Sequence, residues 1–289
     1  MKLGAIEGGG TKFICAVGNE LGDLEQEIII PTTTAKETLD KVISFFKENK
    51  VEKIGIGCFG PLELNSNNPN YSTILRSPKL HWSNFNIVRY LKNELNIPIT
   101  ITTDVNAAAL AEIEIGNSKD LNSILYITIG TGIGVGAIIN RKFLFGINHP
   151  EMGHISLKKH PLDSFIGSCP FHKDCFEGLA SGTAIEKRYL QKGETLMSNA
   201  DVWELIGYYI GQAIASLNFI LSPQRVIIGG GVGMNPLLIN KIKKYFKEFN
   251  NDYLTNKYTN DLDSFIQQTS LNNRAGLIGA LLLPIKSNY

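Results

Sequence analysis

The chain of 289 residues contains no apolar run approaching the length of a membrane span, which excludes a helical membrane protein. It has no excess of either charge: 28 basic against 27 acidic residues leave a formal net charge of +1. No cluster of Lys and Arg interleaves with aromatic residues. Nucleic acid and anionic membranes are therefore not expected partners. Low-complexity linkers are also missing, so any domain boundary must fall inside compact structure, near Asn106–Glu114. A strand-like pattern begins at residue 2, so no secretory leader is expected and a cytoplasmic protein is. Cysteines number only four, too few for a disulfide scaffold, and Cys15 and Cys58 lie in apolar strand-like runs that read as buried reduced thiols. The length exceeds what one hydrophobic core usually spans, so two domains are expected.

The remaining two cysteines stand close together. Cys169, His172 and Cys175 fall within one short segment, with His154 upstream. Two sulfurs and two imidazoles form a set suited to tetrahedral zinc, the other reading being a Cys169–Cys175 disulfide. Four protein ligands leave no position for water, so the metal would be structural and would fix a loop. Glu151 and Glu177 flank these ligands and offer acceptors for a polyhydroxy ligand, although either alone also reads as a solvated surface residue.

Along the chain, Lys2–Ile6 and Phe13–Val17 read as strands around Gly8-Gly9-Gly10-Thr11-Lys12, a hairpin whose bare backbone could approach a phosphate or simply form a flexible turn. Leu24–Ile30 is expected as a strand and Thr34–Asn49 as a helix capped at Thr34. Lys53–Cys58 is a short buried strand ending in Phe59-Gly60-Pro61, at the kind of edge where ligands gather in α/β sheets. Residues Asn65–Asn84 have little periodicity and read as a surface excursion. Asn86–Leu95 is expected as a helix and Pro98–Thr102 as a strand delivering Asp104, which either caps the next helix or acts chemically. Strand, glycine-threonine turn and strand then recur around Gly130-Thr131-Gly132-Ile133-Gly134. This repeat suggests two related domains. Neither loop opens a helix, which disfavours a Rossmann dinucleotide site, and the Walker spacing is absent. Gly182 precedes another helix. Val202–Leu221 reads as a long helix whose Gly207 and Gly211 permit close packing, and Gly229–Gly233 ends a strand as a nucleotide pocket or a plain turn.

Taken together, Glu7-Gly-Gly-Gly-Thr-Lys12, Asp104-Val-Asn-Ala-Ala-Ala109, Gly130-Thr-Gly-Ile-Gly-Val-Gly136, Glu151-Met-Gly-His154, Cys169-Pro-Phe-His-Lys-Asp-Cys175 and Glu177-Gly-Leu-Ala-Ser-Gly182 resemble the ROK family of sugar kinases, most closely its bacterial zinc-containing fructokinases. The resemblance implies an actin/hexokinase-like α/β fold of two ribonuclease-H-like domains with an inter-domain nucleotide cleft. The first would hold residues 1–110 joined by a C-terminal helix at about 274–289, and the second residues 111–273.

Asp104 would be the general base. Gly60, Pro61, Thr103, Glu151, His154 and Glu177 would contact the sugar. Gly9, Gly10, Thr11, Lys12, Gly130, Thr131, Gly132 and Gly182 would hold phosphates, with Gly230 and Gly231 by the adenosine. His154, Cys169, His172 and Cys175 would bind Zn²⁺. Thr103 stands where the family commonly has a sugar-binding asparagine, Thr183 replaces a proline and Lys173 a glycine. Glu7 replaces the aspartate of many relatives and could hold the shell of an ATP-bound Mg²⁺ through water. The expected activity is ATP-dependent phosphorylation of fructose, with glucose, mannose or an N-acetylhexosamine as the alternative substrate, in a homodimer. A sugar-sensing regulator is disfavoured because the glycine hairpin at residue 8 leaves no space for a DNA-binding domain. An inactive sugar-binding module is disfavoured because Asp104 and both phosphate loops are present.

Overall fold

Two five-stranded sheets organise the computed structural model, which describes residues 1–76, 80–286 and 289. The chain opens with β1 (Leu3–Gly8), β2 (Lys12–Gly18) and β3 (Leu24–Pro31), then α1 (Ala35–Asn49) and β4 (Lys53–Cys58). Two short strands, β5 (Thr73–Ile74) and β6 (Phe85–Asn86), pair with each other before α2 (Ile87–Leu95), β7 (Ile99–Thr103) and α3 (Asp104–Glu114). The second half runs through β8 (Ile124–Ile129), β9 (Ile133–Ile139), β10 (Lys142–Phe143), α4 (Phe176–Ala180), α5 (Gly182–Tyr189), α6 (Ala200–Leu221) and β11 (Arg225–Gly229). It closes with α7 (Gly230–Gly233), α8 (Leu238–Asn250), α9 (Leu262–Phe265), β12 (Ile266–Gln268) and α10 (Ala275–Leu282).

The first sheet has the order β3-β2-β1-β4-β7 and the second β10-β9-β8-β11-β12. Both place their third, second, first, fourth and fifth strands in the same sequence, so the repeated glycine hairpin belongs to a duplicated topology. Two compact units result: Met1–Asp120 with Gly136–Pro150 and Arg274–Tyr289, and Leu121–Val135 with Glu151–Asn273.

In the first unit β1 is antiparallel to β2 and parallel to β4, and its alternation feeds both faces of the sheet. Leu3 and Ala5 pack with Leu277, Ala280 and Leu281 of α10, while Ile6 faces the cluster containing Leu39, Val42 and Phe46 of α1. Helix α1 starts as expected: Thr34 accepts a hydrogen bond from the Glu37 amide, and Lys50 ends the helix in a left-handed conformation.

The region read as a surface excursion is instead partly core. Trp82 is 1% exposed, stacks on Phe13 with ring centroids 5.0 Å apart, and donates from Nε1 to the Thr33 carbonyl at 2.9 Å. Residues 77–79 of that stretch lie outside the described residues, as do 287–288 at the end of the expected C-terminal helix. Helix α10 stops at Leu282 and passes into a single 3₁₀ turn, Leu283–Ile285.

In the second unit α6 begins at an Asn199 cap and packs on α8. A Cβ on Gly207 would lie 2.4 Å from the Lys241 Cβ, and one on Gly211 2.6 Å from the Tyr245 Cβ, so these two positions set the helix separation. No helix among the described residues is long and apolar enough to cross a membrane.

Candidate functional site

The parallel strands of the first sheet end in register, with Gly8 beside Cys58 and Cys58 beside Thr103. Three chain segments therefore leave one sheet edge together: the glycine hairpin at residues 9–11, the turn Phe59-Gly60-Pro61, and the start of α3. Such carboxyl-end edges are where α/β sheets bind ligands. The cap of α3 is Thr103, whose hydroxyl accepts from the Asn106 amide at 3.2 Å. Of the two readings of Asp104, this removes the capping one. Asp104 is the first helical residue, and its Oδ1 accepts from the adjacent Val105 amide at 2.9 Å.

The electrostatics of this edge are unusual. Burial raises the Asp104 carboxyl to about 6, against the lowering effect of backbone N–H groups. Glu7 is raised to about 7, first by burial and then by the charge of Asp104, with Lys12 acting in the opposite direction. Among the described residues, Glu7 Oε2 is buried without a hydrogen-bond partner. A carboxylate oxygen in that state fits a role in the shell of a cation, because a buried anion without a partner is costly. In the hairpin, the Gly9 amide donates to Lys12 O at 2.9 Å and Thr32 Oγ1 donates to Gly9 O at 2.8 Å. Cys15 and Cys58 are buried free thiols, in agreement with the sequence.

In the second unit the other nucleotide candidates come together. The Gly182 amide donates to Gly130 O at 2.7 Å, and Thr183 Oγ1 to Thr131 O at 2.8 Å. Glu177 Oε2 accepts from the Ile133 amide at 3.0 Å, which ties α4 to the same loop. Gly230 has a φ of 82° and packs on Ile129, where a Cβ would lie 2.5 Å from the carbonyl oxygen. Gly231 faces open space.

The His–Cys segment folds onto this loop, because Gly153 sits where a Cβ would be 2.1 Å from Ile133 O. His154 ends a 3₁₀ turn and Cys175 immediately precedes α4, while isolated bridges join Ser156 to Cys175 and Cys169 to Lys173. His154 Nδ1 lies 3.8 Å from Cys169 Sγ and 3.5 Å from Cys175 Sγ, and His172 Nδ1 lies 3.7 Å from Cys169 Sγ. A tetrahedral zinc with Zn–S of about 2.3 Å and Zn–N of about 2.0–2.1 Å separates sulfur from nitrogen by about 3.6 Å. All four donor atoms lie within 4.8 Å of one another, and both cysteines are free thiols. The donor set fits zinc.

A family model described as the ROK family matches residues 3–287. The chain belongs to the ROK family. It is 42% identical to a fructokinase of Pediococcus pentosaceus over 98% of this chain and 97% of that relative. A fructokinase of Lactococcus lactis subsp. cremoris is 44% identical, covering 87% of this chain and 86% of the relative. Among solved structures, a ROK hexokinase from Thermus thermophilus superposes with a TM-score of 0.78 at 26% identity, covering 99% of each chain.

One part of this ROK chain's machinery carries no local sequence signal. Arg188 and Asp163 form an ion pair at 3.2 Å with side chains 7% and 4% exposed. Tyr209 also donates to Asp163, at 2.6 Å, and Arg188 lies 4.4 Å from the Phe165 ring centroid. This network pins the loop that leads into Cys169. Arg188 and Tyr209 stand 25 and 46 residues from Asp163, and only the fold unites them.

Proposed function

We propose that this ROK chain is an ATP-dependent fructokinase that transfers the γ-phosphoryl group of ATP to the 6-hydroxyl of D-fructose, giving fructose 6-phosphate and ADP. The observation that carries the reading is Asp104, a partly accessible carboxylate at the sheet edge whose affinity for a proton is raised to about 6. The names of the fructokinase relatives supply the sugar. A base that ionises just below neutral pH is charged under working conditions yet still basic enough to receive a proton.

Asp104 takes the proton of the sugar O6–H. The oxygen lone pair attacks the γ-phosphorus, and the bond from that phosphorus to the β–γ bridging oxygen breaks, with its electrons leaving on ADP. Phosphoryl transfer depends mainly on alignment and charge stabilisation. Gly9, whose own amide closes the hairpin on Lys12 O, and Gly10, Thr11 and Lys12 are assigned to the phosphates, with the Gly10 amide and the Thr11 and Lys12 side chains as the donors. So are Gly130, Thr131, Gly132 and Gly182, with Gly230 and Gly231 beside the adenosine. When bound with ATP, Mg²⁺ supplies positive charge to the β- and γ-phosphates, and Glu7 is assigned to its water shell.

Gly60, Pro61, Thr103, Glu151, His154 and Glu177 are assigned to the sugar, with the Thr103 hydroxyl already engaged as a helix cap. His154 turns Nδ1 toward the sulfurs, which reserves Nε2 for a sugar hydroxyl. His154, Cys169, His172 and Cys175 would hold a structural Zn²⁺ that fixes Glu151, Glu177 and the adjoining glycine loop of the same unit. ADP release measured on fructose, glucose, mannose and N-acetylglucosamine tests the reading. The highest kcat/KM is expected on fructose, and preference for glucose would overturn the assignment.

A further inference from the structure

The first turn of α3, which carries Asp104, is enclosed by glycines from three separate elements of its own unit. From β4, Gly57 faces it so closely that an added Cβ would lie 2.9 Å from the Ala107 Cβ and 3.4 Å from the Asp104 Cα. From β9, Gly136 would bring a Cβ to 2.2 Å from the Val105 carbonyl oxygen and 2.9 Å from the Asn106 nitrogen. From α10, Gly279 would bring one to 1.6 Å from the Ala107 carbonyl oxygen. Glycine weakens strand and helix interiors, and here two strands and a helix each place one against the same turn. No side chain separates these backbones from α3, so the turn has almost no room to shift. Val105–Ala109 are all buried, four of them small apolar residues and the fifth Asn106, whose Nδ2 donates to Thr102 Oγ1 at 3.3 Å.

We propose that Gly57, Gly136 and Gly279 are positioning residues for Asp104: they let three backbones clamp the first turn of α3 and so fix where its carboxylate stands. The inference rests on the assignment of Asp104 as the base. An acid or base held on a rigid element keeps its alignment through the reaction, and a displacement of about 1 Å can lower a rate by about a hundredfold.

Gly57→Ala is the mildest probe of the three: its added methyl would stand 2.9 Å from the Ala107 Cβ rather than against a backbone carbonyl, and a shift of about 0.5–1 Å restores ordinary carbon–carbon contact. The expected result is a kcat lowered about tenfold, with KM for fructose and for ATP changed by less than about twofold. The double variant Gly57→Ala/Ala107→Gly removes the opposing methyl. It should regain most of the lost kcat while melting at a lower temperature than Gly57→Ala, because it adds a glycine to a helix.

Recovery of turnover alongside loss of stability is a pattern that a purely structural role does not produce. Gly4→Ala, which meets Phe46 and Ile54 in the core, is the stability control and should lower the melting temperature without changing kcat. A folded Gly57→Ala enzyme with kcat within about twofold of the parent, or a double variant no more active than the single, overturns the proposal. The base assignment beneath it fails on a different result, an Asp104→Asn enzyme that retains turnover.

Discussion

Replacing Glu7 by Gln isolates the energetic consequence of a buried carboxylate beside Asp104. In the unfolded chain Glu7 ionises near its ordinary value of 4.5, whereas in the fold it ionises at about 7, chiefly because of burial. Between those values the unfolded chain has lost its proton while the folded one retains it. Stability therefore falls as pH rises through that window and becomes flat above about 7. The full difference corresponds to about 3 kcal/mol, an upper value because water relaxes around the charge.

Gln has the same shape and does not ionise, so the variant should be more stable than the parent at pH 8 by up to about 3 kcal/mol, with the gain shrinking toward zero near pH 4.5. Trp82 reports the first unit directly from its packing on Phe13, and a Trp203→Phe background leaves it as the single tryptophan of the two in the chain. Urea unfolding followed by Trp82 fluorescence, in chelator and without nucleotide, gives the comparison at pH 4.5, 6 and 8. A variant less stable than the parent at pH 8, or a difference independent of pH, would refute the reasoning. The same substitution should lower kcat, since it removes the charge assigned to the Mg²⁺ shell.

The acid limb of the kcat/KM profile should fall near pH 6, because Asp104 must be ionised to accept a proton and its carboxyl is raised to about 6. An acid limb near pH 4 would contradict that assignment. Purified protein should carry one zinc per chain by elemental analysis, and Cys175→Ser should lose it along with thermal stability; a zinc-free parent of equal stability would remove the staple from the account. Arg188→Met leaves Asp163 buried without its cation and should lower stability by about 3–5 kcal/mol in urea titration, whereas a loss under about 1 kcal/mol would mean that the pair does not hold the loop.

Much of this architecture was legible because the relevant signals are local. Strand–glycine–strand at residues 8–17 and again from Gly130 names two hairpins, and the structure shows them heading two sheets of the same strand order. The spacing of Cys169, His172 and Cys175 places three donors in one loop, although only the fold brings His154 to them. Other features depend on contacts that no short window contains. Strands β5 and β6 are two residues each, too short for alternation to show, so the buried Trp82 between them read as surface.

Whether Asp104 caps α3 or acts chemically stayed open in the sequence because Thr103 and Asp104 are both good caps, and the fold settles the cap on Thr103. The freedom of Asp104 from capping is a property of the fold. The ion pair of Asp163 with Arg188 joins residues on separate elements, and the enclosure of Asp104 by Gly57, Gly136 and Gly279 exists only once β4, β9 and α10 are assembled.

The most direct measurement is phosphorus NMR of the product formed from ATP and D-fructose by the parent and by Asp104→Asn, with circular dichroism confirming that both are folded. The account predicts fructose 6-phosphate from the parent and no sugar phosphate above background from the variant. Fructose 1-phosphate from the parent, or comparable fructose 6-phosphate from Asp104→Asn, would contradict it.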